Sequence, residues 1–88
     1  MPDSCTVAVL GGGSFGTVIA NIIAGNGHRV RLWLRNEDRA QSINAHKENI
    51  EYLPGYKLHD KLEATSSLAA AVKGVDVLFV AVPSSSFR

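Results

Sequence analysis

Eighty-eight residues, 45% of them hydrophobic and 19% charged, make at most one small domain and exclude both a disordered chain and a fibrous repeat. Nine Lys and Arg against eight Asp and Glu leave a net charge of +1, which excludes a basic stripe for nucleic acid. The single cysteine, Cys5, excludes an internal disulfide and a cysteine-based metal cluster.

In chain order, Thr6 to Leu10 (TVAVL) is a β-branched, apolar run that stops at glycines, as expected of a parallel strand buried on both faces. The run ends too early, and lacks the basic lead-in, for a secretory signal. No segment reaches the roughly 18 to 20 apolar residues that cross a bilayer, so a cytoplasmic protein without membrane insertion is expected. Phe15 to Ala24 reads as a helix whose Phe15, Val18, Ile19, Ile22 and Ile23 line one face, closed by positive φ at Gly25 and Gly27. His28 to Leu34 is a second strand, with Val30, Leu32 and Leu34 alternating with Arg29, Arg31 and Trp33, and its mixed character predicts less complete burial than the first.

Asn36, followed by Glu37 and Asp38, has the form of an N-cap with an acidic first turn and predicts a helix to about Lys47. Residues 48–61, with Pro54 and Gly55, form a loop. Leu62 to Thr65 is a brief third strand, and Ser66 or Ser67 caps a short Ala-rich helix that ends before Gly74. Val75 to Val82 is the fourth and most hydrophobic strand, stopped by Pro83, and Ser84 to Ser86 open a loop. Alternating strands and helices, joined by right-handed crossovers, predict an α/β fold: a Rossmann-like parallel sheet of order 3-2-1-4 with helices on both faces, incomplete as a domain.

The chemistry concentrates at Gly11-Gly12-Gly13-Ser14-Phe15-Gly16, a G-x-G-x-x-G that follows a strand and opens a helix. Gly11 permits the tight turn, Gly13 lets the backbone approach a pyrophosphate, and Gly16 lets helix and strand pack closely. Free amides and the positive helix end then meet the phosphate charge, and Ser14 adds a hydroxyl. Phe15 reads equally as core or as a wall of the cofactor site. At the end of strand two, where an NAD site usually carries an acid, stands Arg35, whose guanidinium suits a 2′-phosphate. NADP(H) is the favoured ligand; NAD(H) is the alternative, with Glu37 or Asp38 reaching back to the ribose. His28, His46 and His59 show no ligand spacing, and no metal is expected.

Taken with Thr17, the strand Gly27-His28-Arg29-Val30-Arg31-Leu32-Trp33, the segment Asn49 with Tyr52-Leu53-Pro54-Gly55, and Ala81-Val82-Pro83-Ser84, these residues resemble bacterial-type NAD(P)-dependent sn-glycerol-3-phosphate dehydrogenase over essentially the whole chain. Phe15 stands where that family usually has Trp. The resemblance implies interconversion of dihydroxyacetone phosphate and sn-glycerol 3-phosphate by hydride transfer, in glycerophospholipid synthesis. It implies cofactor contacts at Ser14, Phe15, Arg35 and Tyr52, beside the Gly11, Gly13 and Gly16 of the motif. On this reading residues 1–88 are the amino-terminal part of the dinucleotide-binding domain. The helical substrate domain and the catalytic lysines belong to later sequence, and the fragment alone is inactive. Competing readings are another two-domain dehydrogenase, of ketopantoate or 6-phosphogluconate type, and a stand-alone nucleotide sensor. Faces left open by so short a chain invite self-association, a homodimer included.

Overall fold

A computed structural model describes residues 5–11, 13–50 and 55–81. It contains β1 (Thr6–Leu10), α1 (Ser14–Gly25), β2 (Arg29–Trp33), α2 (Glu37–His46), β3 (Leu62–Thr65), α3 (Leu68–Val72) and β4 (Val77–Val80). All strand pairs are parallel and the order is β3-β2-β1-β4, as expected. β1 and β3 have the expected bounds. The second strand spans Arg29–Trp33, one residue shorter at each end than expected, and the fourth begins at Val77 and not Val75, where Val75 N–H still closes a turn onto Val72 O at 3.3 Å. His28 uses its ring Nδ1 to accept the Cys5 N–H at 3.0 Å, and Val82, the expected end of the fourth strand, lies outside the described residues.

In a parallel sheet, residues in register share a face. Val7, Val30 and Leu62 form one row and Val9, Leu32 and Ala64 the next, under Ala20 and Ala24 of α1 and Ala40 and Ile43 of α2 in a single buried cluster. Leu32, Leu62 and Ile43 are fully buried, each contributing about 1.5–3 kcal/mol. On the opposite face, Arg31 Nη1 donates to Ala70 O at 3.1 Å and Lys73 O at 2.6 Å, capping the end of α3, while Trp33 Nε1 donates to Ser66 O at 3.1 Å. The polar half of β2 thus holds α3 onto the sheet, and helices cover both faces.

The buried face of α1 differs from expectation. It is Gly16, Thr17, Ala20 and Ala24, small residues four or three apart, whereas Phe15 and Ile22 are exposed. Large side chains on that face would hold the helix off the sheet. Gly25 is the last helical residue, Asn26 is the C-cap, and the positive φ falls on Gly27 at 97°. The second helix ends at His46, and Lys47 adopts the left-handed conformation, with Nζ donating to Leu62 O at 3.0 Å. β2 alternates buried Val30 and Leu32 with exposed Arg29 and half-exposed Arg31 and Trp33, and it is less covered than β1, as its sequence predicts. Apolar β4 is exposed along its whole length. It pairs with β1 on one side, and its other edge has no strand among the described residues.

Candidate functional site

The carboxyl ends of the strands meet at the glycine turn. Gly11 N–H donates to Trp33 O at 2.9 Å, Ala81 N–H donates to Leu10 O at 2.9 Å, and Leu34 N–H donates to Thr65 O at 3.1 Å. The turn therefore lies on β1, between β2 on one side and β4 on the other. It is there that the strand order reverses and open parallel sheets bind ligands. Gly11 has φ 124°, and a Cβ on it would run into the carbonyl oxygen of Ala81. A Cβ on Gly16 would run into the carbonyl oxygen of Gly11. Both glycines are thus fixed by backbone, one by the strand beside it and one by the turn below it.

Gly13 is different. Its φ of −73° and ψ of −174° are open to any residue, and a Cβ built on it meets nothing within 4 Å. It faces open space at the start of α1. The first helical hydrogen bond runs from Thr17 N–H to Gly13 O at 2.9 Å, so the amides of Ser14, Phe15 and Gly16 precede the ladder. Gly13 is the N-cap and provides no side-chain acceptor, and the first turn contains no acid.

The other helices begin otherwise. Asn36 Oδ1 accepts the Arg39 N–H at 2.9 Å, with Glu37 and Asp38 in the first turn of α2, and Ser67 Oγ accepts the Ala70 N–H at 3.1 Å. Among the described residues, α1 alone of the three presents donors and a positive end with neither a capping side chain of its N-cap residue nor an acid in its first turn. A pyrophosphate fits that arrangement.

Of the expected site residues, Gly11, Gly13, Ser14, Phe15 and Gly16 come together at this turn, with Ser14 and Phe15 exposed beside it. Phe15 is 62% exposed in this chain. Arg35 is exposed two residues past Trp33, whose carbonyl binds the turn, so it lies at the same edge of the sheet. Gly12 and Tyr52 lie outside the described residues, as do Pro83 and the serines at 84–86.

Sequence reasoning missed the part played by Thr17 and Asn49. Both are fully buried, and Asn49 Nδ2 donates to Thr17 Oγ1 at 2.8 Å, while Thr17 Oγ1 donates to Gly13 O at 2.8 Å. One helical turn on, Asn21 accepts from His59 N–H at 2.7 Å and donates to Lys57 O at 3.2 Å. The loop after α2 is thus fastened to α1 at both Thr17 and Asn21. An antiparallel bridge between Glu48 and Lys57 and the buried Leu58 hold it further. The available signal was Asn49 itself, a polar residue between a helix and a turn, but its partner is 32 positions away.

A parallel sheet of order 3-2-1-4 with a glycine-rich, uncapped helix start at its switch point defines the class of Rossmann-type dinucleotide-binding domains. A family model described as NAD-dependent glycerol-3-phosphate dehydrogenase N-terminus matches residues 6–88, and the chain belongs to that family. It is 62% identical over its full length to glycerol-3-phosphate dehydrogenase [NAD(P)+] of Teredinibacter turnerae, and 57% identical to the protein of that name from Saccharophagus degradans. Its fold is similar to the glycerol-3-phosphate dehydrogenase structure from Coxiella burnetii, with TM-score 0.85 and 37% identity over 94% of this chain and 26% of that one. The Saccharomyces cerevisiae enzyme gives TM-score 0.85 and 32% identity over 94% of this chain and 27% of that one. The chain spans about a quarter of the length of the curated relatives, 26% and 25% for the two named.

Proposed function

We propose that residues 1–88 are the amino-terminal part of the dinucleotide-binding domain of a glycerol-3-phosphate dehydrogenase. The parent interconverts dihydroxyacetone phosphate and sn-glycerol 3-phosphate for glycerophospholipid synthesis in the cytoplasm, using NADP(H) in preference to NAD(H). One observation carries the cofactor reading: α1 starts on a glycine with open space before it, no capping side chain and no acid in its first turn. The relatives from Teredinibacter turnerae and Saccharophagus degradans, both glycerol-3-phosphate dehydrogenase [NAD(P)+], support the reaction.

In this reading the Ser14, Phe15 and Gly16 amides and the Ser14 hydroxyl hold the diphosphate, with Gly11 and Gly16 keeping the turn tight against the sheet. The Phe15 ring flanks the nucleotide, Arg35 pairs with the 2′-phosphate, and Tyr52 contacts the cofactor from its loop. A bound nicotinamide cofactor supplies or accepts the hydride. The alkoxide that forms needs an acid, and the carbonyl needs a phosphate grip. Neither role is assigned to any residue of these 88, so the chain by itself is expected to bind cofactor weakly and to show no turnover.

The test is calorimetric titration of NADPH and NADH into the chain and into Arg35→Ala. Loss of a charge-assisted pair predicts NADPH affinity down about ten- to a hundredfold with NADH unchanged. Equal affinities in both proteins reject the 2′-phosphate role. No binding of either nucleotide by the unsubstituted chain rejects the cofactor reading itself.

A further inference from the structure

Resting on that reading, we propose that Thr17 and Asn49 are positioning residues for the anion-binding turn. They form a buried relay that aims the Ser14 amide at the diphosphate. Its geometry follows from the peptide plane. The structure contains no cis peptide among the described residues, so the Gly13 carbonyl and the Ser14 N–H, which share one trans peptide, point in opposite directions. Whatever fixes Gly13 O down the helix fixes the Ser14 N–H out of its end.

Two donors from one residue do this, since Thr17 offers both its N–H, at 2.9 Å, and its hydroxyl, at 2.8 Å, to the same Gly13 oxygen. A lone threonine hydroxyl could turn away to another acceptor. Asn49 restricts that, because its amide donates to Thr17 Oγ1 at 2.8 Å, occupies one of the two lone pairs of the hydroxyl and turns the proton away from itself, while Gly13 O accepts it at 2.8 Å. Both side chains are 0% exposed, so water does not compete for these bonds and each is stronger for it.

The relay also explains why the loop after α2 is docked where it is. Asn49 reaches the first turn of α1, and Asn21, four residues past Thr17 on the same helical face, holds the other end of the loop through Lys57 and His59. The loop acts as a brace that carries Asn49 to the helix start. In a preorganised site the donor is already aimed before the anion arrives, and affinity rises because no ordering is left to do on binding.

The test compares the chain with Thr17→Val, Thr17→Ser and Asn49→Ala by ADP and NADPH titration, at a temperature well below each melting midpoint. There every folded variant is fully populated, and a purely structural role leaves affinity untouched. Loss of the relay predicts about three- to tenfold weaker binding of both ligands by Thr17→Val. The same loss, smaller in size, is expected of Asn49→Ala. Thr17→Ser, which keeps the hydroxyl, restores the affinity of the unsubstituted chain. Lower melting with unchanged affinity in Thr17→Val overturns the relay while the cofactor reading stands. Should Thr17→Val fail to fold, unchanged ADP affinity in Asn49→Ala overturns it alone. Absence of ADP and NADPH binding by the unsubstituted chain overturns the cofactor reading and the relay together.

Discussion

The starts of α1 and α2 are built from the same backbone and differ in what the sequence puts in front of them. Before α2, Asn36 supplies an acceptor to Arg39 N–H, and Glu37 and Asp38 supply negative charge. That helix end is satisfied internally and has no call for an anion. Before α1, Gly13 supplies nothing, and the first turn is Ser14, Phe15 and Gly16. The comparison separates stability from binding: one helix start uses its dipole to hold the fold, and the other keeps it for a ligand.

The largest effect should come from Gly16→Val, which breaks the comparison by removing the open start altogether. A branched side chain there drives into the Gly11 carbonyl, a backbone atom that cannot step aside. We expect loss of several kcal/mol, about 3 or more from overpacking and displaced backbone, seen as loss of the cooperative melt by circular dichroism. A melt within a degree of the unsubstituted chain would show that helix and turn are not in contact as described.

Gly13→Asp sharpens the comparison by turning the start of α1 into a copy of that of α2. The new side chain enters open space, and it can cap the helix and complement its dipole, so stability is expected to rise by about 0.5 kcal/mol. NADPH affinity is expected to fall by at least about tenfold, because the carboxylate takes the donors and repels the phosphates. Stability and affinity that moved in the same direction would contradict the division of labour between the two helices.

The smallest effect is that of Asn36→Ala. Removing this cap costs about 1 kcal/mol of stability, measurable by urea unfolding. Asn36 follows Arg35 directly, so NADH, which lacks the 2′-phosphate, is the ligand to compare, and its affinity should be unchanged. A loss of NADH affinity comparable to that of Gly13→Asp would mean that both helix ends serve the ligand.

Much of this was legible because it depends on local chemistry. TVAVL and LEAT gave strand bounds matching those observed, and the spacing of Gly11 and Gly16 carried their mechanical roles, since both concern backbone within a few residues or an adjacent strand. The cap at Asn36 was legible for the same reason, and that of α3 to within two serines, of which Ser67 is the one used. Three things were not. The buried face of α1 was hidden because hydrophobicity favours Ile22 over Ala20, whereas the sheet is so close that only small residues fit. The Thr17–Asn49 pair was hidden because nothing in either segment names a partner in the other. The exposure of β4 was hidden because hydropathy tells what a strand would gain by burial and not whether a neighbour is there to bury it.

β3 and β4 are the two outer strands of the sheet, and they are protected unequally. β3 carries Glu63 and follows Asp60 and Lys61, charges that discourage a foreign strand from joining its edge. Val77-Leu78-Phe79-Val80 carries none, and by register Val77 and Phe79 project with the α1 side while Leu78 and Val80 project with the α3 side, so both surfaces of the ribbon are greasy. Among the described residues this four-residue seam is the unguarded edge of the sheet, and a net charge of +1 offers little repulsion to keep two such seams apart in concentrated solution.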